Sequence, residues 1–353
     1  MRIVVFGLTV SSSWGNGHAT LWRGLCRALG AIGHEVVFFE RDAPYYASHR
    51  DATELPGCDL RLYASWDDVK AAARDLVRGA DAAMVTSYCP DAVPAAELVL
   101  AQCGGVRAFY DLDTPVTLEG IEAGQRAPYL PAGGLGDFDV VLSFTGGRAL
   151  DALRSRLGAR RVVPIFGSVD PLRHYPTTRE ARFASDLCYL GTYSADRHAA
   201  VVELLVEPAR HAPERRFLLA GALYPGDFPW QENVFHVPHV PPSEHATFYG
   251  SAELSLNVTR GTMARWGWCP SGRLFEAAAC GAPQVTDDWE GLEHFFTPGS
   301  EILVARSAAD VLAAISAPSG ELAAMAQRAR ARVLDEHTAD VRARSMVRAL
   351  EWA

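Results

Sequence analysis

The densest run of chemically capable positions is Asn257-Val258-Thr259-Arg260, then Gly267 through Glu276, then Ala277 through Pro283. Pro270-Ser271-Gly272 reads as a loop entering a helix. The first N–H groups of a helix have no internal partner and carry the positive end of its dipole. Those near Ser271, Gly272 and Arg273 therefore suit a diphosphate. Glu276, one turn further on, could accept two hydrogen bonds from ribose hydroxyls. A carboxylate set among Phe275 and Ala277–Ala279 should be paired or directed at a ligand.

Four other clusters follow strands. Ser11-Ser12-Ser13-Trp14-Gly15-Asn16-Gly17-His18 is a glycine loop in which Gly17 lets backbone approach a ligand and His18 opens a helix. Phe109-Tyr110-Asp111-Leu112-Asp113-Thr114-Pro115 sets two carboxylates at a strand end. Asp111 and Asp113 could hold a divalent metal, orient an acceptor hydroxyl or polarise His18, and they also fit a simple turn. Ser143–Gly147 could line the cleft by backbone contacts and fits equally a helix start with tight packing. Gly191-Thr192-Tyr193-Ser194-Ala195-Asp196-Arg197 places Arg197 on the first turn of a helix, where a guanidinium can fork two phosphate oxygens. His236, His239 and His245 have no cysteine or carboxylate at a zinc spacing. Val237–Val240 is read instead as a base-contacting loop, and no metal is expected.

The elements that must position these groups alternate. Ile3–Phe6, Glu35–Phe39, Ala82–Thr86, Val106–Tyr110 and Val140–Ser143 are short apolar runs with helical periods between them, such as Asp67–Val77 and Arg148–Leu157. The pattern restarts with Leu187–Leu190, Arg216–Ala220, Leu254–Asn257, Gln284–Thr286 and Ile302–Val304. Helices are expected at Asp196–Glu207, Ser243–Tyr249, Leu274–Ala279, Ala308–Ala314, Glu321–Leu334 and Thr338–Leu350. Such alternation predicts parallel sheets covered on both faces. The expected class is α/β, with two Rossmann-like, doubly wound domains facing across a cleft. Residues 1–170 form the first, 171–337 the second, and the helix in 338–353 returns to the first. Pro164–Ala184, rich in proline and charge, is the candidate linker.

Composition narrows the partners. A net charge of −9 argues against nucleic acid. Lys70 is the one lysine, so a cation meeting phosphate elsewhere must be arginine. Seven cysteines without metal spacing suggest a reducing cytoplasm. No run approaches the roughly 20 apolar residues of a membrane span, and Met1–Phe6 is too short for a signal peptide.

The second half resembles the donor domain of GT-B glycosyltransferases of family four. The whole chain more closely resembles the CgeB-like (spore-maturation protein type) bacterial enzymes. The likeness runs through Pro164–Asp170 with Tyr175-Pro176, Tyr189–Arg197, Ser271–Gly281, Asp288–Leu292 and Pro298–Ile302. In the first half it is looser, at Tyr110–Pro115 and Ser143–Gly147. The resemblance implies a nucleoside-diphosphate sugar, UDP- or dTDP-linked, bound mostly by the second domain. It gives Glu276 to the ribose and Arg197 to the phosphates. The family's partner lysine has no counterpart, so Arg260, Arg265 or Arg273 would replace it. Trp268 stands where a family-four enzyme carries the earlier of two glutamates, the one facing the transferred sugar.

The expected reaction is hexosyl transfer to a hydroxyl of a small molecule or glycan. It needs no metal or other cofactor. Arg197, Arg273 and the Gly272 backbone stabilise the leaving diphosphate. His18, with Asp111 or Asp113, takes the acceptor proton. Rival readings are a nucleotide-sugar epimerase or hydrolase, and a nucleotide-sugar-binding protein without catalysis. Tyr45–Tyr63 and Leu118–Gly136 are expected as long loops walling the acceptor.

Overall fold

Ile3, Val4, Val5 and Phe6 are all buried, as in a strand covered on both faces. They lie in β1 (Arg2–Gly7), followed by β2 (Glu35–Arg41), β3 (Cys58–Tyr63), β4 (Ala82–Thr86), β5 (Val106–Asp111), β6 (Val140–Ser143) and β7 (Val162–Pro164). These seven form one parallel sheet in the order β3-β2-β1-β4-β5-β6-β7. A second parallel sheet holds β8 (Leu187–Leu190), β9 (Phe217–Ala220), β10 (Val234–Val237), β11 (Ser255–Asn257), β12 (Gln284–Thr286) and β13 (Leu303–Val304). Its order, β10-β9-β8-β11-β12-β13, repeats the first six positions of the other sheet. The architecture is α/β with two Rossmann-like sheets.

The computed structural model describes all 353 residues in two compact units. One comprises Met1–Phe166 and Ala339–Ala353, the other Gly167–Thr338. The final helix, Ala339–Glu351, lays Ala343, Met346 and Leu350 into the first unit's core with Trp22, Leu25 and Leu29 of the helix Gly17–Ala31. Burying its apolar stripe there removes the surface an amphipathic helix cannot leave in water.

Several expected loops are structured. Cys58–Tyr63, inside the expected acceptor wall, is the edge strand β3, with mixed exposure that hides its period. Thr114–Glu122 is a helix, so the segment after Asp113 begins as regular structure with Pro115 in its first turn. Val237, the first residue of the expected Val237–Val240 loop, closes the edge strand β10. The helix expected over Asp196–Glu207 starts as a tight turn at Ala195–Arg197 and widens to a π turn at Val202–Val206 before ending at His211. Pro208 has no N–H for the α ladder, which accounts for the wide turn before it.

Candidate functional site

In each sheet the strand order reverses beside the first strand, so loops leaving that strand and its later neighbour diverge. Open α/β sheets bind ligands at such points. In the first unit these are the loops after β1 and β4. In the second they follow β8 and β11.

The loop after β1 is held by a carboxylate that sequence reading missed. Glu40, at the end of β2, is buried and accepts hydrogen bonds from Thr9 Oγ1 (2.7 Å), Val10 N (2.7 Å), Ser11 N (3.0 Å) and Ser11 Oγ. Four donors offset the cost of burying its charge. The only sequence signal is a glutamate closing an apolar strand. Asn16 caps the next helix by accepting from His18 N (3.0 Å), while its amide donates to Thr9 O and Ser12 O.

That cap presents His18 to the end of β5. His18 Nε2 lies 3.0 Å from Asp113 Oδ2. A carboxylate accepts, so Nε2 carries the hydrogen and Nδ1 is left as the basic nitrogen. Nδ1 is covered and has no hydrogen-bond partner. Asp111 sits behind this pair, wholly buried, with Oδ1 accepting from Asp113 N (3.1 Å) and Oδ2 unpartnered. Burial pushes its carboxyl up to about 6 against hydrogen bonds from Thr117 and Asp113 N that work the other way. Asp111 is thus a support for Asp113 and not a group at the surface, which corrects its placement beside Asp113 as a catalytic candidate. Tyr88, just beyond β4, holds a left-handed φ of 62° with its ring 6.0 Å from that of His18. Backbone strain of this kind gathers at functional sites.

In the second unit, Gly191 and Gly221 let two loops touch. A Cβ on Gly221 would stand 2.0 Å from the Gly191 carbonyl oxygen. Arg197 Nη2 donates to Thr192 O (2.6 Å), and its Nε is buried without a partner. Arg260 pairs with Asp196 at 3.2 Å. The helix Gly272–Ala279 begins after Ser271, whose side chain makes no cap bond. The N–H groups of its first turn precede the intrahelical ladder. Glu276 lies one turn in, its side chain 12% exposed, and its Oε2 accepts a long hydrogen bond from Tyr249 Oη (3.4 Å). His174 Nε2 is 3.9 Å from Glu276 Oε1, and His245 Nδ1 is 3.7 Å from Oε2. Burial holds His245 below the ordinary histidine range, with Glu276 pulling the other way.

Residues 197–348 match the glycosyl transferase-like family. No curated protein matches the chain in sequence. Among solved structures, sucrose-phosphate synthase from Thermosynechococcus elongatus superposes with a TM-score of 0.71 at 16% identity, over 100% of this chain and 98% of that one. Anabaena HepE in complex with UDP-glucose gives 0.69 at 11% identity, over 100% of both chains. An α-glucosyltransferase in complex with UDP-glucose and DNA containing an abasic site gives 0.69 at 11%, over 99% of both. The fold is GT-B.

Within this GT-B chain the expected site residues separate into three groups. Gly17, His18 and Asp113 gather at one sheet edge of the first unit, as do Arg197, Ser271, Gly272 and Glu276 in the second. Gly17 is exposed, and a Cβ there would meet nothing within 4 Å. Arg273 differs from expectation. Its Nη1 donates to Asn257 Oδ1 (2.8 Å), its Nε to Leu190 O, and its guanidinium lies 5.1 Å from the Tyr189 ring centre. Two donors are committed to the sheet edge, so its first role is to brace that edge. Val240 differs too, because its side chain is packed with Phe183 and Ala246 and its carbonyl accepts from His245 Nε2 (3.2 Å). The Val240 side chain therefore faces the core, which leaves the backbone of this loop as its open face.

Trp268 is half-buried at φ 50°. Its backbone N–H donates to Glu290 O (2.6 Å) and its ring lies over Gly291, 5.2 Å from the His294 ring. The histidines of this stretch have different neighbours. His236 joins Tyr224 and Trp230 in an aromatic cluster and bonds Gly221 O through Nε2 (2.9 Å). His245 instead meets His174 and Glu276. His174 was missed because it lies in the linker, 71 residues from His245 in sequence. No helix is long and apolar enough to cross a membrane.

Proposed function

We propose that this protein transfers a hexosyl group from a nucleoside-diphosphate sugar, UDP- or dTDP-linked, to an acceptor hydroxyl on a small molecule or glycan. The observation that carries the proposal is the start of the helix Gly272–Ala279. Its open first turn and the carboxylate of Glu276 lie beyond the end of β11, where the strand order reverses. A diphosphate takes the N–H groups of Gly272 and Arg273. The ribose hydroxyls donate to Glu276. HepE, with the same fold, is a UDP-glucose complex, which supports the choice of a uridine donor.

Charge builds on the diphosphate as the glycosidic bond breaks. The guanidinium of Arg197 and the helix N–H groups are the donors that meet it. Such preorganised donors are each worth about 3–4 kcal/mol. The diphosphate then needs no metal counter-ion. In the first unit, His18 takes the acceptor proton, and Asp113 steadies the imidazolium. The motif set supports a CgeB-like reading, and we assign the chain to the bacterial cytoplasm with no nucleic-acid partner.

The test is a thermal-shift and calorimetric screen of nucleoside diphosphates and their sugars, with and without EDTA. Ligand at about 100 times its Kd adds about 2.7 kcal/mol of stability. A shift with a uridine or thymidine diphosphate that survives EDTA is expected. No shift with any nucleotide would remove the donor site, and a shift lost in EDTA would remove its metal independence.

A further inference from the structure

Two imidazoles and a carboxylate converge in the second unit. One ring nitrogen each of His174 and His245 and a Glu276 oxygen all lie within 4.8 Å of one another. None of these contacts is a hydrogen bond, since 3.7 and 3.9 Å are beyond hydrogen-bond reach. His174 is 5% exposed, yet neither of its ring nitrogens has a partner. Buried polar atoms are nearly always satisfied, so a pair of orphaned nitrogens asks for an occupant.

The orientation of His245 sharpens the question. Val240 O can only accept, so Nε2 of His245 carries the hydrogen. The lone pair of Nδ1 is thereby turned toward Glu276 Oε2. A histidine whose far N–H is held by a backbone carbonyl is the usual arrangement around a bound metal. Two imidazole nitrogens and one carboxylate oxygen suit a zinc-class ion better than magnesium or calcium, which prefer oxygen alone. Bonds of about 2.0–2.2 Å to a tetrahedral ion set its ligand atoms about 3.3–3.6 Å apart, so atoms now spaced by up to 4.8 Å would close by about 1 Å. Rotation of the side chains supplies that movement. Water or another ligand completes the fourth position.

We infer that His174, His245 and Glu276 form a binding site for one zinc-class divalent ion, and that this ion competes with the nucleotide ribose for Glu276. The second half of the inference rests on the donor site proposed above. Transfer itself does not use the ion. The site joins the linker to the helices His245–Ser251 and Gly272–Ala279, so a bound ion both withdraws the ribose acceptor and ties down the linker.

Chelator-treated full-length protein is titrated with Zn2+ and Mg2+ by calorimetry, and with Co2+ by visible absorption. One Zn2+ per chain is expected, with a four-coordinate Co2+ spectrum and no Mg2+ binding. His174→Ala and His245→Ala should each weaken Zn2+ at least about tenfold, whereas His211→Ala, on a helix end elsewhere, should not. Zn2+ should raise the Kd of UDP for wild type about tenfold or more and leave it unchanged in His174→Ala. No stoichiometric Zn2+, or Zn2+ binding indifferent to both histidine variants, overturns the site. The wild-type Co2+ spectrum decides even if a variant fails to fold. Stoichiometric Zn2+ with unchanged UDP affinity overturns the competition. Failure of metal-free protein to bind UDP, with Zn2+ titrating normally, overturns the donor reading and leaves the metal site standing.

Discussion

His18 Nε2 and Asp113 Oδ2 stand 3.0 Å apart, which fixes the imidazole tautomer and leaves Nδ1 as its basic nitrogen. The contact depends on the Asn16 cap on one side and on the end of β5 on the other. His18→Ala and Asp113→Asn should therefore lower the transfer rate by about 10²–10⁴-fold, the range for a positioned acid or base. UDP affinity should stay at the wild-type value. Initial-rate kinetics beside calorimetry separate the two, and a wild-type rate in both variants would remove this pair from the reaction.

Glu276→Ala and Arg197→Ala should both weaken UDP without unfolding the chain. A hydrogen bond to a charged group is worth about 1.5–3 kcal/mol, so a loss of about 10–100-fold in Kd is expected. Calorimetry on metal-free protein measures it. Unaltered affinity in both would show that the nucleotide lies elsewhere.

Asp111 makes stability depend on acidity in an unusual sense. Its folded carboxyl is pushed up to about 6 by burial, above the ordinary aspartate value of about 3.9. Between these values the folded chain holds a proton that the unfolded chain has released. Stability should therefore fall as pH rises through that window and remain reduced above it. At about 1.4 kcal/mol per pH unit, Asp111→Asn should gain about 2–3 kcal/mol on wild type between pH 4 and pH 7. Urea unfolding at several pH values tests this, and parallel curves for the two proteins would contradict it.

Gly17→Ala offers a contrast between fold and function. It is the first residue of its helix and has open space around it, so alanine should leave stability unchanged or raise it by up to about 1 kcal/mol. If a ligand approaches the backbone there, transfer should slow at the same time. A thermal melt and a rate assay read the two effects, and unchanged kinetics would remove the loop from the site.

Gly291→Ala should act on stability. Gly291 has a φ of 91°, and a Cβ would stand 2.6 Å from Trp268 Cδ2. The strained backbone and displaced ring should cost about 1–3 kcal/mol. Chemical denaturation with tryptophan fluorescence follows both, and a wild-type midpoint would show that the ring yields without cost.

Sequence alone determined the alternating strands and helices, the restart of the pattern near Leu187, the helix opening after Ser271 and the carboxylates closing β5. Each of these is written in a local period or a local start signal, and such signals survive without knowledge of the fold. The edge strands β3 and β10 escaped because one side of each is solvated and its apolar period is broken. Only the tertiary structure decided the partners. It put His18 against Asp113, set Glu40 beneath the serine loop, turned Arg273 onto Leu190 and Asn257, and brought linker His174 to His245 and Glu276. Those contacts depend on strand order and loop path, which bring together residues far apart in sequence, and no local period encodes which distant side chain will arrive.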